Sequence, residues 1–255
     1  IDLITYCNQK KVAFLSTAFD LQSIDLLAGL GVKLGKIPSG ELTNFPFLRK
    51  MAQSFPQLIL STGMSDLREI KETLHVLYRF GHSPESVTVL HCNTEYPTPF
   101  EDVNLLAMNH LANELGVKVG YSDHTLGIEV PLAATALGAT VIEKHFTLDR
   151  NMEGPDHSSS LNESEFEELV VGIRNVELAL GSGIKTPSAI EVKNSYGMKR
   201  SLVLLKNVNE DDIITEEIIG FKRPSNGLSV NYYDLILGKK MSKSMKKDEA
   251  IQYDS

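Results

Sequence analysis

The chain has 255 residues, 42% of them hydrophobic and 23% charged, the balance of a globular protein with enough apolar material for a sizeable core. Its 25 Lys and Arg against 33 Asp and Glu give a net charge of −8, which argues against nucleic-acid binding but leaves room for a small anion in a local cationic pocket. No apolar run approaches the length that spans a bilayer and no stretch reads as a secretory signal, so no membrane partner is expected.

The first residues, from Ile1 to Ile4, read as the middle of a helix. Six β-then-α units follow. Strands are predicted over 12–16, 32–37, 58–61, 87–91, 117–121 and 140–145, apolar runs without strict alternation, as strands buried on both faces require. Helices are predicted over 21–30, 45–54, 66–80, 105–115, 128–137 and 163–180, the last capped by Asn162. Alternation at this spacing predicts a parallel βαβ architecture. Six units and a start inside a helix are together explained by a (β/α)8 TIM barrel lacking its first two strands in this chain. The barrel piece is assigned residues 1–180. Residues 181–198 mix Gly, Ser, Pro and charges without period and read as a linker. Residues 199–255 form a small second domain with ten basic against nine acidic residues, so the acidity belongs to the barrel piece. Cys7 and Cys92 show no metal or redox spacing and read as buried thiols of a reducing compartment, which predicts a cytoplasmic protein.

Parallel strands of a barrel open their C-terminal ends onto one face, where catalysis takes place. The predicted ends carry Ser16 and Thr17; Lys36, Ser39 and Glu41; Ser61 and Thr62; Asn93, Thr94 and Tyr96; Ser122, Asp123 and His124; and Glu143, Lys144 and His145. Hydroxyls with a lysine suit a phosphate, carboxylates suit sugar hydroxyls or proton transfer, and two imidazoles on neighbouring strand ends suit one divalent metal. Asp156 and His157, in a Gly-Pro turn after the last strand, are placed to reach back over the same mouth.

In this order KIPSGE, LSTGM, HCNTEYPTPFEDVNL, GYSDHT, EKHFTLD and GPDHSSSL closely resemble the sialic acid synthase family. These enzymes condense phosphoenolpyruvate (PEP) with N-acetylmannosamine or a related amino sugar. The segment SLVLLKNVNEDDIITEEIIGFKRPSNGLSV resembles that family's C-terminal antifreeze-like, or SAF, domain. The resemblance implies metal ligation by His124 and His145, with Mn²⁺, Mg²⁺ or Co²⁺ as the ion. It implies PEP contacts at Thr17, Lys36, Ser39, Ser122 and either Thr94 or Asn93. It implies amino-sugar contacts at Glu41, Tyr96 and Asp156, with Glu41 also the candidate for handling a proton. It further implies a homodimer that exchanges its C-terminal domains, with Arg223 contributing to the partner's site. Pro38 departs from the commoner GSGE motif and is expected to stiffen the loop without removing a ligand. The family's first two barrel strands carry a glutamate and a PEP-binding lysine, and a polypeptide truly without them is expected to be inactive. GPDHSSSL looks more like members that take N-acetylmannosamine or a diacetamido-trideoxymannose (giving legionaminic acid) than like those that take an altrose-type sugar. A metal-dependent aldolase is the rival reading, but it would leave the hydroxyl-and-lysine cradle without purpose.

Overall fold

Acidic and amide side chains open four of the helices by taking up backbone N–H groups that a first turn leaves unpaired. In the computed structural model, which describes residues 1–253, Asp20 Oδ1 accepts from Ser23 N at 2.7 Å and Asn44 Oδ1 from Phe47 N at 3.3 Å. Asp66 with Glu69 and Asn162 with Glu165 form reciprocal capping boxes. The chain divides into two compact units, Ile1–Ser182 and Gly183–Ser255. The end of the expected 199–255 domain, Asp254 and Ser255, lies outside the described residues.

The first unit runs α1 (Asp2–Lys10), α2 (Leu21–Gly29), β1 (Leu34–Ile37), α3 (Phe45–Ser54), β2 (Gln57–Ser61), α4 (Leu67–Arg79), β3 (Val87–Cys92), α5 (Ala107–Leu115), β4 (Lys118–Asp123), α6 (Glu129–Ala136), β5 (Ile142–Lys144) and α7 (Glu163–Leu180). Its strands pair in parallel and in sequence order, β1-β2-β3-β4-β5, and the sheet curls into a half-barrel. The helix faces that meet the sheet follow helical spacing. On α4, Arg68, Lys71, Glu72, His75 and Arg79 are exposed, Leu67, Val76 and Tyr78 are half-buried, and Ile70, Leu74 and Leu77 are buried. These last three pack with Ile37, Leu48, Leu60, Val89 and Met108 into one core between sheet and helices. Each fully buried leucine or isoleucine there contributes about 1.5–3 kcal/mol.

The structure corrects the expected strand over 12–16. That segment forms no ladder, and just after it Thr17 makes a single isolated bridge to Lys36 of β1. Its β-branched and apolar residues have the right propensity, but a strand exists only where a neighbour supplies hydrogen bonds. Val12 is left 59% exposed. Cys7 also departs from expectation, since it lies on α1 and is only half-buried, whereas Cys92 is buried.

The second unit contains α8 (Ala189–Met198), β6 (Ser201–Leu204), β7 (Ile219–Lys222) and α9 (Tyr233–Ile236). β6 and β7 pair antiparallel, and isolated bridges such as Val208 with Met245 extend the pairing. Leu202, Leu204, Ile214, Ile219, Met241 and Ile251 form its own core. The expected linker is irregular only in its first half. Its breakers Gly181, Gly183 and Pro187 precede Ser188, which forms a capping box with Glu191 and starts α8.

Gly120 is required by close packing rather than by a turn. A Cβ there would lie 2.3 Å from the Val141 carbonyl oxygen and 2.6 Å from Leu90 Cδ2. Gly120→Ala is expected to destabilise the first unit by about 1–3 kcal/mol through overpacking. Gly29→Ala, on a helix with open space around it, is expected to stabilise by about 0.5–1 kcal/mol. Chemical denaturation of the two variants beside wild type checks the opposite signs.

Candidate active site

Because β1 to β5 are parallel, their C-terminal ends share one end of the half-barrel. A cavity of about 520 Å³ opens there. Of the residues expected at the site, Thr17, Lys36, Ser39, Thr94, Tyr96, Ser122, His124 and His145 all line it.

The alternation of parallel strands decides which side chains face the cavity. β4 and β5 pair Ser122 with Glu143 and Asp123 with Lys144. Ser122 and Glu143 face the cavity, and so do His124 and His145 two residues on. Asp123 and Lys144 point to the other side, where their side chains are 0% and 1% exposed and lie 2.6 Å apart.

The floor of the cavity is a cation held by a carboxylate. Lys36 is 6% exposed, and its Nζ lies 3.3 Å from Glu143 Oε2. Glu143 Oε1 accepts from Ser122 Oγ at 2.6 Å. Ser39 Oγ accepts from Gly63 N at 2.9 Å, which sets the hydroxyl against β2's end. Ser61 Oγ is buried beside the same cavity and has no partner of its own. A bound ligand is the simplest partner for it.

The two imidazoles line the same cavity. Their ring centroids are 5.2 Å apart and nearly perpendicular. Tyr96 covers them, with centroids 4.0 Å from His124 and 5.4 Å from His145. His124 Nδ1 lies 2.6 Å from the Asn93 carbonyl oxygen. A carbonyl can only accept, so Nδ1 carries the hydrogen and Nε2 keeps a lone pair. Burial holds the His124 pKa below the usual imidazole value, against the opposing pull of that hydrogen bond. His145 Nδ1 lies 3.9 Å from Asp156 Oδ2.

The fit of these donors to a metal follows from their number. Among the described residues no group of three or more His, Cys, Asp and Glu side chains is arranged to hold an ion. Two imidazoles therefore do not make a closed structural site. They fit an exchangeable ion that takes its remaining ligands from water and substrate.

Two expected residues, Glu41 and Asp156, do not line the cavity. Glu41 sits in a 3₁₀ turn after Ser39, and its carboxylate accepts from Asn44 Nδ2 at 2.6 Å. Asp156 is in a left-handed conformation, and its carboxylate lies 3.9 Å from His145 Nδ1. Arg223 belongs to the second unit, where its Nε donates to the Met198 carbonyl. Between the alternatives Thr94 and Asn93, Thr94 lines the cavity, whereas Asn93 spends its amide on Glu95 N and the Asp102 carbonyl. Ser61 and Glu143, which the sequence places at strand ends but to which the resemblance assigns no contact, line the cavity as well. Glu143 was legible in principle, because it stands two residues before His145 and shares its face.

Breaking the buried pair behind the histidines is expected to be costly. Lys144→Met alone strands the Asp123 carboxylate and should destabilise by about 3–5 kcal/mol. Adding Asp123→Asn removes the stranded charge and should recover much of that loss. Denaturant unfolding of the single and double variants measures both.

The chain is similar to a set of known proteins. Residues 1–185 match the NeuB family model and residues 199–255 the SAF domain model. The chain is 50% identical over 251 residues to the N,N'-diacetyllegionaminic acid synthase of Campylobacter jejuni, covering 98% of this chain and 75% of that protein. It is 43% identical over 240 residues to the enzyme of the same name from Legionella pneumophila, covering 93% and 67%. The crystal structure of the N-acetylneuraminic acid (sialic acid) synthetase of Leptospira borgpetersenii in complex with citrate superposes with a TM-score of 0.70 at 34% identity, over 75% of this chain and 66% of that one. The chain belongs to the NeuB family and carries a SAF domain.

Proposed function

We propose that this chain is a nonulosonate synthase that condenses PEP with an N-acetylated amino sugar and water and releases inorganic phosphate by C–O cleavage. The observation that carries the reading is one cavity with a buried ammonium, strand-end hydroxyls and two imidazoles on its walls. The names of the relatives support the same reaction class.

The roles follow from the groups present. Lys36 Nζ is the natural seat for an anionic group of PEP, since a buried ammonium stabilises a negative charge more strongly than an exposed one. Before substrate arrives, Glu143 holds Lys36 and Ser122 in place. An incoming phosphate or carboxylate takes over both donors and frees the Glu143 carboxylate. Glu143, rather than Glu41, is then our candidate for proton transfer, because it is the carboxylate that lines the cavity. Ser39, Ser61 and Thr94 offer further hydroxyls to the same anion. Tyr96 packs over His124 and limits the water that reaches it. A divalent ion on His124 and His145 supplies Lewis acidity that polarises the sugar's aldehyde when bound. Among the sugars, 2,4-diacetamido-2,4,6-trideoxymannose is the first to assay, given the 50% identity to a legionaminic acid synthase, with N-acetylmannosamine second.

Phosphate release is expected to require PEP and the sugar together, to stop with a chelator, and to return with Mn²⁺ or Mg²⁺. His124→Ala and His145→Ala should each abolish it while leaving the melting transition in place, since strand-end residues serve function more than packing. Phosphate release from PEP without a sugar, or full turnover in either alanine variant, refutes the reading.

Lys36→Ala should raise the KM for PEP by about tenfold or more, the equivalent of one charge-assisted hydrogen bond, with a smaller effect on the sugar's KM. Steady-state kinetics in each substrate separates the two. An unchanged KM for PEP removes Lys36 from the anion site.

A further inference from the structure

Lys144 lies outside the cavity, yet it touches the chain on both sides of a cavity residue. Its Nζ is 2.6 Å from Asp123 Oδ2 and also donates to the Thr125 carbonyl. Asp123 and Thr125 flank His124, and Lys144 itself immediately precedes His145. One ammonium therefore holds a side-chain carboxylate before the first imidazole and a backbone carbonyl after it, and its residue is the chain neighbour of the second.

The carboxylate it meets is fixed as well. Asp123 Oδ1 accepts from Thr125 N at 3.0 Å and from Thr125 Oγ1 at 2.9 Å, and that hydroxyl lies 3.1 Å from Oδ2. All three side chains are buried. Successive residues of a strand face opposite ways, so anchoring Asp123 and Lys144 on one side turns His124 and His145 to the other.

Stability alone is a weak reason for such a pair. Replacing both members of a buried ion pair by neutral groups of similar shape is often neutral or stabilising. A fixed lattice of charge next to two ligand residues is what a precise inter-imidazole distance demands, because partners behind a ligand tune its orientation.

We infer that the Asp123–Lys144 pair, braced by Thr125, is a positioning clamp that sets the spacing of His124 and His145 so that both grip one divalent cation. The inference rests on the metal reading above and assigns the pair a role beyond joining β4 to β5.

The test is Mn²⁺ binding to the full chain, followed by electron paramagnetic resonance, with folding followed by circular dichroism and the melting midpoint. Wild type should bind and His124→Ala should not. Asp123→Asn combined with Lys144→Met removes both charges but keeps the acceptor for Thr125. It should stay folded and lose roughly tenfold or more in Mn²⁺ affinity. A folded double variant with wild-type affinity overturns the clamp. If the double variant does not fold, Thr125→Val decides, since it deletes only the bracing hydroxyl. A loss of about threefold or more supports the clamp and unchanged affinity overturns it. Wild-type binding in His124→Ala is a different result. It sinks the metal reading, and the clamp with it.

Discussion

The parallel register of β4 on β5 is the constraint on which the candidate site depends. Ser122 stands opposite Glu143 and Asp123 opposite Lys144. A slip of one residue would turn every side chain of one strand to the other face. Glu143 would leave Lys36, and the ammonium of Lys144 would enter the cavity in place of a carboxylate and an imidazole. The register is held by more than backbone bonds. Gly120 lets Val141 approach to within a distance no Cβ would tolerate, and the Thr140 hydroxyl donates to the Val119 carbonyl. A site made of alternating side chains inherits its precision from these contacts.

The electrostatic layout follows from that geometry. Two cations come close to the site, and each is paired on its own face of the sheet. Lys36 meets Glu143 in the cavity, and Lys144 meets Asp123 behind it. The two pairs differ in exposure. Glu143 is 40% exposed, so water and ligands can compete for its partner, whereas Asp123 is sealed. A solvent-accessible pair can exchange partners at modest cost, while a sealed one resists disruption because either charge left alone is heavily penalised. The first suits a binding group and the second suits a support.

Family membership and site geometry carry different weight. The match to the NeuB and SAF models covers nearly all of the chain and establishes descent. It does not say which carboxylate faces the cavity. The expectation drawn from the motif SGE put Glu41 there, yet its carboxylate is bound to Asn44 in a tight turn, and Glu143 lines the wall instead. Function is read from the site, and the fold only narrows the choice.

Much of this was legible in the sequence because the causes are local. Apolar runs bounded by caps at Asp66 and Asn162 announce their helices, and a buried strand that ends in Ser-Asp-His announces a functional end. The match of α8 to its capping box at Ser188 was equally local, but the glycines before it masked the signal. What tertiary structure alone decided is pairing. Residues 12–16 have the composition of a strand and make no ladder, since a strand needs a neighbour that the local sequence does not name. The grip of Lys144 on Asp123 and Thr125 spans about twenty residues, and the meeting of Lys36 with Glu143 spans more than a hundred. The sequence determined which residues end each strand. Which of them face one another was settled only when the strands came into register, because the energy of a buried charge depends on its neighbours in space and not in the chain.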